Sequence, residues 1–323
     1  MPTIAPPTPT DELSPKVAAA TKPNHVMLAD GRLSDLNGLD RRQLHELQWE
    51  QEQKFTHAIL AFPKGSQERV MIVGQAYNTI CTILAAMQGD DEPLQMGMDK
   101  RYIKLVLDLL VQQYNRGSAR PALFEVGYGC GSLLDEVRGQ GYQIGGIEVS
   151  STMRDQAVGV LGQRHEENLL LGDLRSVDTE SLPFQPTVVY WNDVFEHIAP
   201  DEIKDYLQTI YGVLAPGGVL VTITPNWLLR PSDVTGDFCP ARTEARGLHL
   251  KEYSLAEVTS LLKQTGFRRI GTPLASIPGK LIMCGGGGRW VKQRIEPMLD
   301  RLPVRLAHLL CRGFAMSITL AWK

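Results

Sequence analysis

The chain has 323 residues, with 33 Lys and Arg against 36 Asp and Glu for a formal charge of −3, so no strong field of one sign selects a polyanionic partner. Its 43% hydrophobic and 21% charged residues exclude a disordered, collagenous or coiled-coil chain. Cys81, Cys130, Cys239, Cys284 and Cys311 are odd in number and form no C-x-x-C pair, which argues against a disulfide framework or a zinc knuckle. The first residues carry Pro and Thr where a signal peptide needs a basic start and an apolar stretch, and no run of 18 apolar residues occurs. A soluble, cytoplasmic protein without a transmembrane segment is expected.

Residues 1–24 hold several prolines and almost no large apolar side chains, too little burial to offset the entropy of ordering, and read as a disordered tail. From Asp40, Leu44, Leu47, Phe55, Ile59 and Leu60 recur at near-helical spacing until Phe62-Pro63 stops them. A second helix, capped by Ser66, carries the stripe Val70, Val73, Tyr77, Ile80, Ile83, Leu84 and Met87 and breaks at Gly89-Asp90-Asp91-Glu92-Pro93. A third stripe, Tyr102, Ile103, Val106, Leu107, Leu110 and Tyr114, ends at Gly117. Residues 25–118 are expected to form a helical lid that closes over a ligand and shapes the substrate region.

At Pro121 the texture changes to short buried runs joined by amphipathic segments, the pattern of a parallel α/β sheet. Strands are expected at Ala122–Val126, Gln143–Val149, Asn168–Leu171, Val188–Asn192 and Val219–Thr224. Helices are expected over Pro200–Leu214, ended by Ala215-Pro216-Gly217-Gly218, and from the capping box Ser254-Leu255-Ala256-Glu257 to Gly266. After Phe267 come a strand, a Gly285–Gly288 turn, a basic amphipathic helical insert over Trp290–Phe314 and a final strand Ser317–Trp322. The ligand-binding domain thus spans 119–323, with an insert at 280–315.

Chemistry concentrates at Glu125-Val126-Gly127-Tyr128-Gly129-Cys130-Gly131, three glycines between a strand and a helix. Glycines permit the tight turn and bring backbone N–H groups and a helix N-terminus close to a ligand. Glu148 ends the next strand, 17 residues after Gly131, where a carboxylate accepts hydrogen bonds from both ribose hydroxyls of an adenosine. The loop is GxGxG and not GxGxxG, and Glu125 would repel a pyrophosphate, so a cationic adenosine ligand such as S-adenosylmethionine suits it better than a dinucleotide.

Together with Gly146-Ile147-Glu148-Val149-Ser150, Leu171-Gly172-Asp173-Leu174, and Asn192-Asp193-Val194-Phe195-Glu196-His197-Ile198, this loop resembles the class I S-adenosylmethionine-dependent methyltransferases of small-molecule type. The resemblance covers Pro121 to about Phe267, with the final strand at Ser317–Trp322. It implies an α/β, Rossmann-like sheet of seven strands with the last antiparallel, here with an N-terminal helical lid and a helical insert before the last strand. It also implies that S-adenosylmethionine is held by Glu125, Gly127, Tyr128, Gly129, Gly131, Glu148, Val149, Asp173, Leu174, Asn192 and Asp193. Asp173 is expected at the adenine amine and Leu174 beside the ring.

Asp193, Glu196, His197 and the later His249 offer carboxylates and imidazoles of the kind that bind Mg²⁺, Mn²⁺ or Zn²⁺. A similar group occurs in small-RNA 2′-O-methyltransferases, but there the first position is Glu. The competing reading is metal-free, with His249 or His197 as general base and His249 ahead because the loop Trp227–Tyr253 lies beyond the cofactor-binding strand ends. O-methylation of a small metabolite is expected, at a hydroxyl or carboxyl acceptor. N-methylation and metal-dependent RNA 2′-O-methylation are the alternatives, and the charge balance weighs against nucleic acid. The insert's arginines and apolar side chains suit either a membrane surface or a cap over the sheet edge, and its prolines favour the cap over peripheral membrane contact.

Overall fold

The computed structural model describes residues 25–88, 99–118, 120–178, 180, 182–283 and 288–323. The tail expected at 1–24, the break at Gly89–Pro93 and most of the Gly285–Gly288 turn lie outside the described residues. The described chain begins with a hairpin that the sequence pattern did not show, β1 (His25–Met27) against β2 (Leu33–Asp35). Its strands are too short to display a period of two. Then follow α1 (Arg41–Ala61), α2 (Gln67–Gln88) and α3 (Lys100–Asn115). Asp40 and Gln43 form a capping box on α1, and Ser66 Oγ accepts from the Arg69 N–H at the start of α2. Phe55, Ile59, Ile80 and Ile83 pack with Val26, so α1, α2 and the hairpin share one core.

Two of these helices differ from expectation in informative ways. The apolar stripe of α3, Val106 and Leu110, joins Leu123 and Val219 of the sheet, so α3 is a flanking layer of the sheet and only its Tyr102 end reaches the lid region. Helix α2 is 22 residues long, with a mean hydropathy of 1.5 in its most apolar stretch, and by length and composition could cross a membrane. In the structure it packs along α1 and along the helix Ser151–Leu161.

The sheet comprises β3 (Ala122–Val126), β4 (Gln143–Glu148), β5 (Leu169–Leu171), β6 (Val188–Asn192), β7 (Val219–Ile223), β8 (Arg269–Gly271) and β11 (Ile318–Trp322), with the hairpin β9 (Ala275–Ile277) and β10 (Lys280–Ile282) separate from it. Helices α4 (Ser132–Gly139), α5 (Ser151–Leu161), α6 (Ile203–Val213), α7 (Thr235–Phe238), α8 (Leu255–Thr265), α9 (Arg289–Leu299) and α10 (Val304–Gly313) complete the chain. The seven strands lie in the order β5-β4-β3-β6-β7-β11-β8, and β11 runs antiparallel to both neighbours. Alternate residues feed opposite layers: Leu123, Tyr190, Val221 and Leu320 face one core, Phe124, Val189, Leu220 and Ala321 the other. Strand order reverses between β3 and β6, which opens a crevice at their carboxyl ends.

The insert is two helices, because Pro303 cannot continue a helix and instead precedes the first turn of α10. Glu296 of α9 reaches across to α8, accepting from the Leu255 N–H (2.8 Å) and from Asn226 Nδ2 (2.6 Å). This buried carboxylate caps a helix belonging to another element. In Glu296→Ala both donors lose their partner, and thermal or urea unfolding should show a loss of about 2 to 4 kcal/mol; a loss below about 0.5 kcal/mol would rule out the anchoring role.

Candidate active site

The carboxyl ends of β3, β4 and β6 face α1, α2 and α3 across a cavity of about 200 Å³. Its floor is the glycine loop. Gly127 (φ 71°), Gly129 (φ 53°) and Gly131 (φ 80°) adopt left-handed backbone that strains any other residue. At Gly127 the space is closed as well, since a Cβ would stand 2.5 Å from Val194 Cγ2. Gly127, Tyr128 and Gly129 line the cavity, whereas Gly131 packs beneath it, 3.1 Å from Ala157 at its Cβ position.

Two buried carboxylates stand over that floor. Glu148 Oε2 accepts from the Gly129 N–H (2.9 Å), and Oε1 from the N–H groups of Val149 (2.8 Å) and Ser150 (3.1 Å). Burial raises its carboxyl above the ordinary range in spite of those three bonds. Carboxylate oxygens retain further acceptor capacity after such bonds, which a ribose diol can use. Glu125 is 7% exposed, and its Oε2 has no hydrogen-bond partner. Burial first, then the nearby Cys130 and Glu148, push its carboxyl well above the usual value. An orphaned acid on a cavity wall calls for a cationic or N–H-bearing ligand. The residues therefore fit S-adenosylmethionine, whose ribose Glu148 would hold and whose positively charged end Glu125 would face.

Val149, Leu174, Asn192 and Asp193 also line the cavity, but the Asp173 side chain does not. The sequence aims that carboxylate at the adenine amine. In the structure it caps the following turn through the Arg175 N–H (2.8 Å), holds the Arg175 side chain and accepts from Tyr206 OH (3.1 Å), so Gly172 and Leu174 meet the cavity in its place. Asp193, with φ at 52°, holds the strained strand-end position on the cavity wall. It is exposed to the cavity yet ringed by protein, and that desolvation raises its carboxyl.

Across the cavity from the glycine loop stand residues that the sequence reading named only as parts of apolar stripes, within the region it expected to shape a substrate pocket, or of a strand. Ile59, Val73, Tyr77, Tyr102 and Ile103 come from the helices, and Tyr190 from β6. Helical spacing cannot distinguish a side chain facing a cavity from one facing a core.

His197 lies on the wall with its Nδ1 2.9 Å from the Leu248 carbonyl, which makes Nδ1–H the donor and leaves Nε2 as a lone pair. Burial, and secondarily the neighbouring His249, lower its imidazole to about 3. His249 is not on the wall. It stands behind His197, ring centroids 4.7 Å apart, with Nε2 3.8 Å from Glu196 Oε1 and Nδ1 3.4 Å from Glu252 Oε1. Burial pulls the His249 imidazole down, but the Glu252 hydrogen bond and the Glu196 and Asp233 charges outweigh it and raise it. Glu196 is fully buried; Oε2 accepts from Thr224 Oγ1 (2.9 Å), and Oε1, which faces His249, has no hydrogen-bond partner among the described residues. Desolvation raises its carboxyl. Ligand atoms of Glu196, His197 and His249 lie within 4.8 Å of one another, and Asp193 is not among them. Two imidazoles and a carboxylate with a free oxygen fit Zn²⁺ or Mn²⁺.

Residues 95–270 match the family model described as a methyltransferase domain. With the strand order and the glycine loop beneath two buried acids, this defines the class: the chain belongs to that family, as a class I S-adenosylmethionine-dependent methyltransferase. Carboxy-S-adenosyl-L-methionine synthase of Chromohalobacter salexigens is 25% identical over 124 residues, 36% of this chain and 43% of that protein. The match thus spans less than half the length of that relative. Among solved structures, a SAM-dependent methyltransferase from Archaeoglobus fulgidus is 17% identical with a TM-score of 0.42, over 68% of this chain and 94% of that one. Magnesium protoporphyrin IX methyltransferase from Synechocystis, solved with bound SAH, is 17% identical with a TM-score of 0.44, over 65% and 95%.

Removing the Glu148 carboxylate should weaken S-adenosylhomocysteine binding by about 1.5 to 3 kcal/mol in calorimetry, the worth of charge-assisted bonds. Unchanged affinity in Glu148→Ala would falsify the ribose assignment. For His197, a folded value near 3 against about 6.5 in the unfolded chain means that stability tied to this group is complete above pH ~6.5 and declines as pH falls toward 3. Nitrogen NMR should find the ring neutral and protonated on Nδ1 at pH 5; a cationic ring at that pH contradicts the assignment.

Proposed function

We propose that this enzyme methylates an oxygen of a small, largely apolar molecule. The carrying observation is the neutral His197 imidazole, its Nδ1–H held by Leu248 while Nε2 makes no hydrogen bond among the described residues. S-adenosylmethionine, when bound, supplies an electrophilic methyl group on a sulfonium. An oxygen acceptor must shed its proton, and a lone pair in a water-poor cavity can receive it. Ile59, Val73, Tyr77, Tyr102 and Ile103 hold and orient the acceptor by apolar and aromatic contact. His197 Nε2 accepts the acceptor's hydroxyl proton, and the desolvated Glu196 carboxyl lies in the row behind it. His249, placed first by the sequence reading, becomes the cation that steadies Glu196 from behind.

The convergence of Glu196, His197 and His249 favours a second reading, in which these side chains hold a divalent ion that lowers the acceptor's pKa. Release of S-adenosylhomocysteine from a panel of phenols, hydroxy acids and carboxylic acids tests both. Under the first reading EDTA leaves the rate unchanged and His197→Ala lowers it by ~10²- to 10⁴-fold while cofactor affinity survives. Loss with EDTA and recovery with Zn²⁺ or Mn²⁺ establishes the second. Activity that favours amines throughout the panel would sink the oxygen assignment.

A further inference from the structure

We propose that the face formed by α9, α10 and the β9–β10 hairpin docks on an anionic lipid bilayer. The insert is tied to the body through its own polar groups. Lys292 Nζ donates to Thr272 Oγ1 (3.0 Å) and to the carbonyls of Pro273 and Phe314, Glu296 caps α8, and Asp300 pairs with Arg230 (3.1 Å). Both acids of the insert are thus engaged inward, while Arg294, Arg301, Arg305 and Arg312 are exposed and form no ion pair among the described residues. Between these arginines stand Trp290, Met298 and Leu309, which are 63%, 65% and 67% exposed.

A single exposed apolar side chain on a surface needs no explanation. Here, however, eight of the sixteen large apolar side chains exposed among the described residues fall between Leu274 and Leu309, so they form a concentration and not a scatter. The Arg294 guanidinium lies 4.4 Å from the centre of the Trp290 ring, which joins an interfacial aromatic to a phosphate-binding cation in one unit. Apolar tips that enter the acyl boundary, with arginines at the level of the phosphates, match an anionic bilayer in both polarity and charge. A second copy fits poorly, because two-fold pairing would set these arginines against themselves. A nucleic acid would leave the apolar half unburied.

The sequence favours a cap over membrane contact; the structure shows that the inner side of the insert serves as the cap and leaves the outer side free. The location also suits an apolar acceptor. Arg101 Nη1 donates to Ser276 Oγ (2.6 Å), which holds the hairpin against α3, whose Tyr102 and Ile103 line the cavity.

Co-sedimentation of the full chain with phosphatidylglycerol vesicles and with phosphatidylcholine vesicles tests this. At low salt we expect at least about tenfold stronger partitioning to phosphatidylglycerol, weakened by high salt. The double variants Trp290→Ser with Leu309→Ser, and Arg301→Gln with Arg305→Gln, should each lower it by about tenfold, with the thermal midpoint and S-adenosylhomocysteine affinity unchanged. These exposed positions leave the core intact. Absence of binding to phosphatidylglycerol, or equal binding by the variants, overturns the proposal. So does a concentration-dependent dimer, or RNA binding, that the same variants abolish.

Discussion

One carboxylate, that of Glu148, sets the geometry on which the site depends. By accepting from Gly129 on one strand end and from Val149 and Ser150 on the next, it links the β3 loop to the end of β4. Without that acceptor the N–H groups of Gly129, Val149 and Ser150 would lose their partner, and the loop would be left with the Gly127 and Gly131 N–H bonds to the Ile147 and Tyr128 carbonyls. Close backbone contact makes the link possible. At Gly146 a Cβ would stand 2.3 Å from the Glu125 carbonyl, so β4 must carry glycine where β3 turns into the loop. The same contact brings Glu125 and Glu148 into one small volume, where Glu148 adds to the burial that raises the Glu125 carboxyl.

Electrostatics on the far side of the cavity follow a different logic. A row of alternating groups runs from Glu252 through His249 to Glu196, and His197 closes its cavity end. Burial lowers the imidazole on the wall, while the carboxylates around the one behind it raise that ring, so of the two rings the one facing the cavity has the lower proton affinity. A cationic cofactor and a cationic wall would repel one another in a low-dielectric cavity, so a neutral His197 is the arrangement compatible with a sulfonium ligand.

The sheet was legible because buried parallel strands write themselves as short apolar runs: Ala122–Val126 and Val188–Asn192 appear in the structure with the bounds read from sequence. The capping box at Ser254 and Glu257 was legible for a similar reason, since both of its hydrogen bonds are local. Less local facts were hidden. The hairpins β1–β2 and β9–β10 are three residues per strand, below the length at which alternation can be distinguished from chance. The side-chain engagement of Asp173 depends on Arg175 and Tyr206, the latter 33 residues away, and no motif records that an arginine two positions on will occupy a carboxylate. The sequence put His249 ahead of His197, and only the third dimension separates the one on the wall, His197, from the one behind it.

Strand β11 lies between β7 and β8 although it follows both in the chain. Its Ile318 pairs with Ile223, 95 residues earlier (318 − 223), and β8 has no other neighbour in the sheet. Chain order and spatial order therefore differ, and β8 can join the sheet only through β11. The pairing of β11 with β7 is a long loop closure, the slow type of contact in folding. Its entropy grows only by about 0.6 kcal/mol for each doubling of loop length. The stretch between β8 and β11, which carries the hairpin and both insert helices, can consequently accept additional length at a small entropic cost, provided that the anchors Lys292, Glu296 and Asp300 are kept.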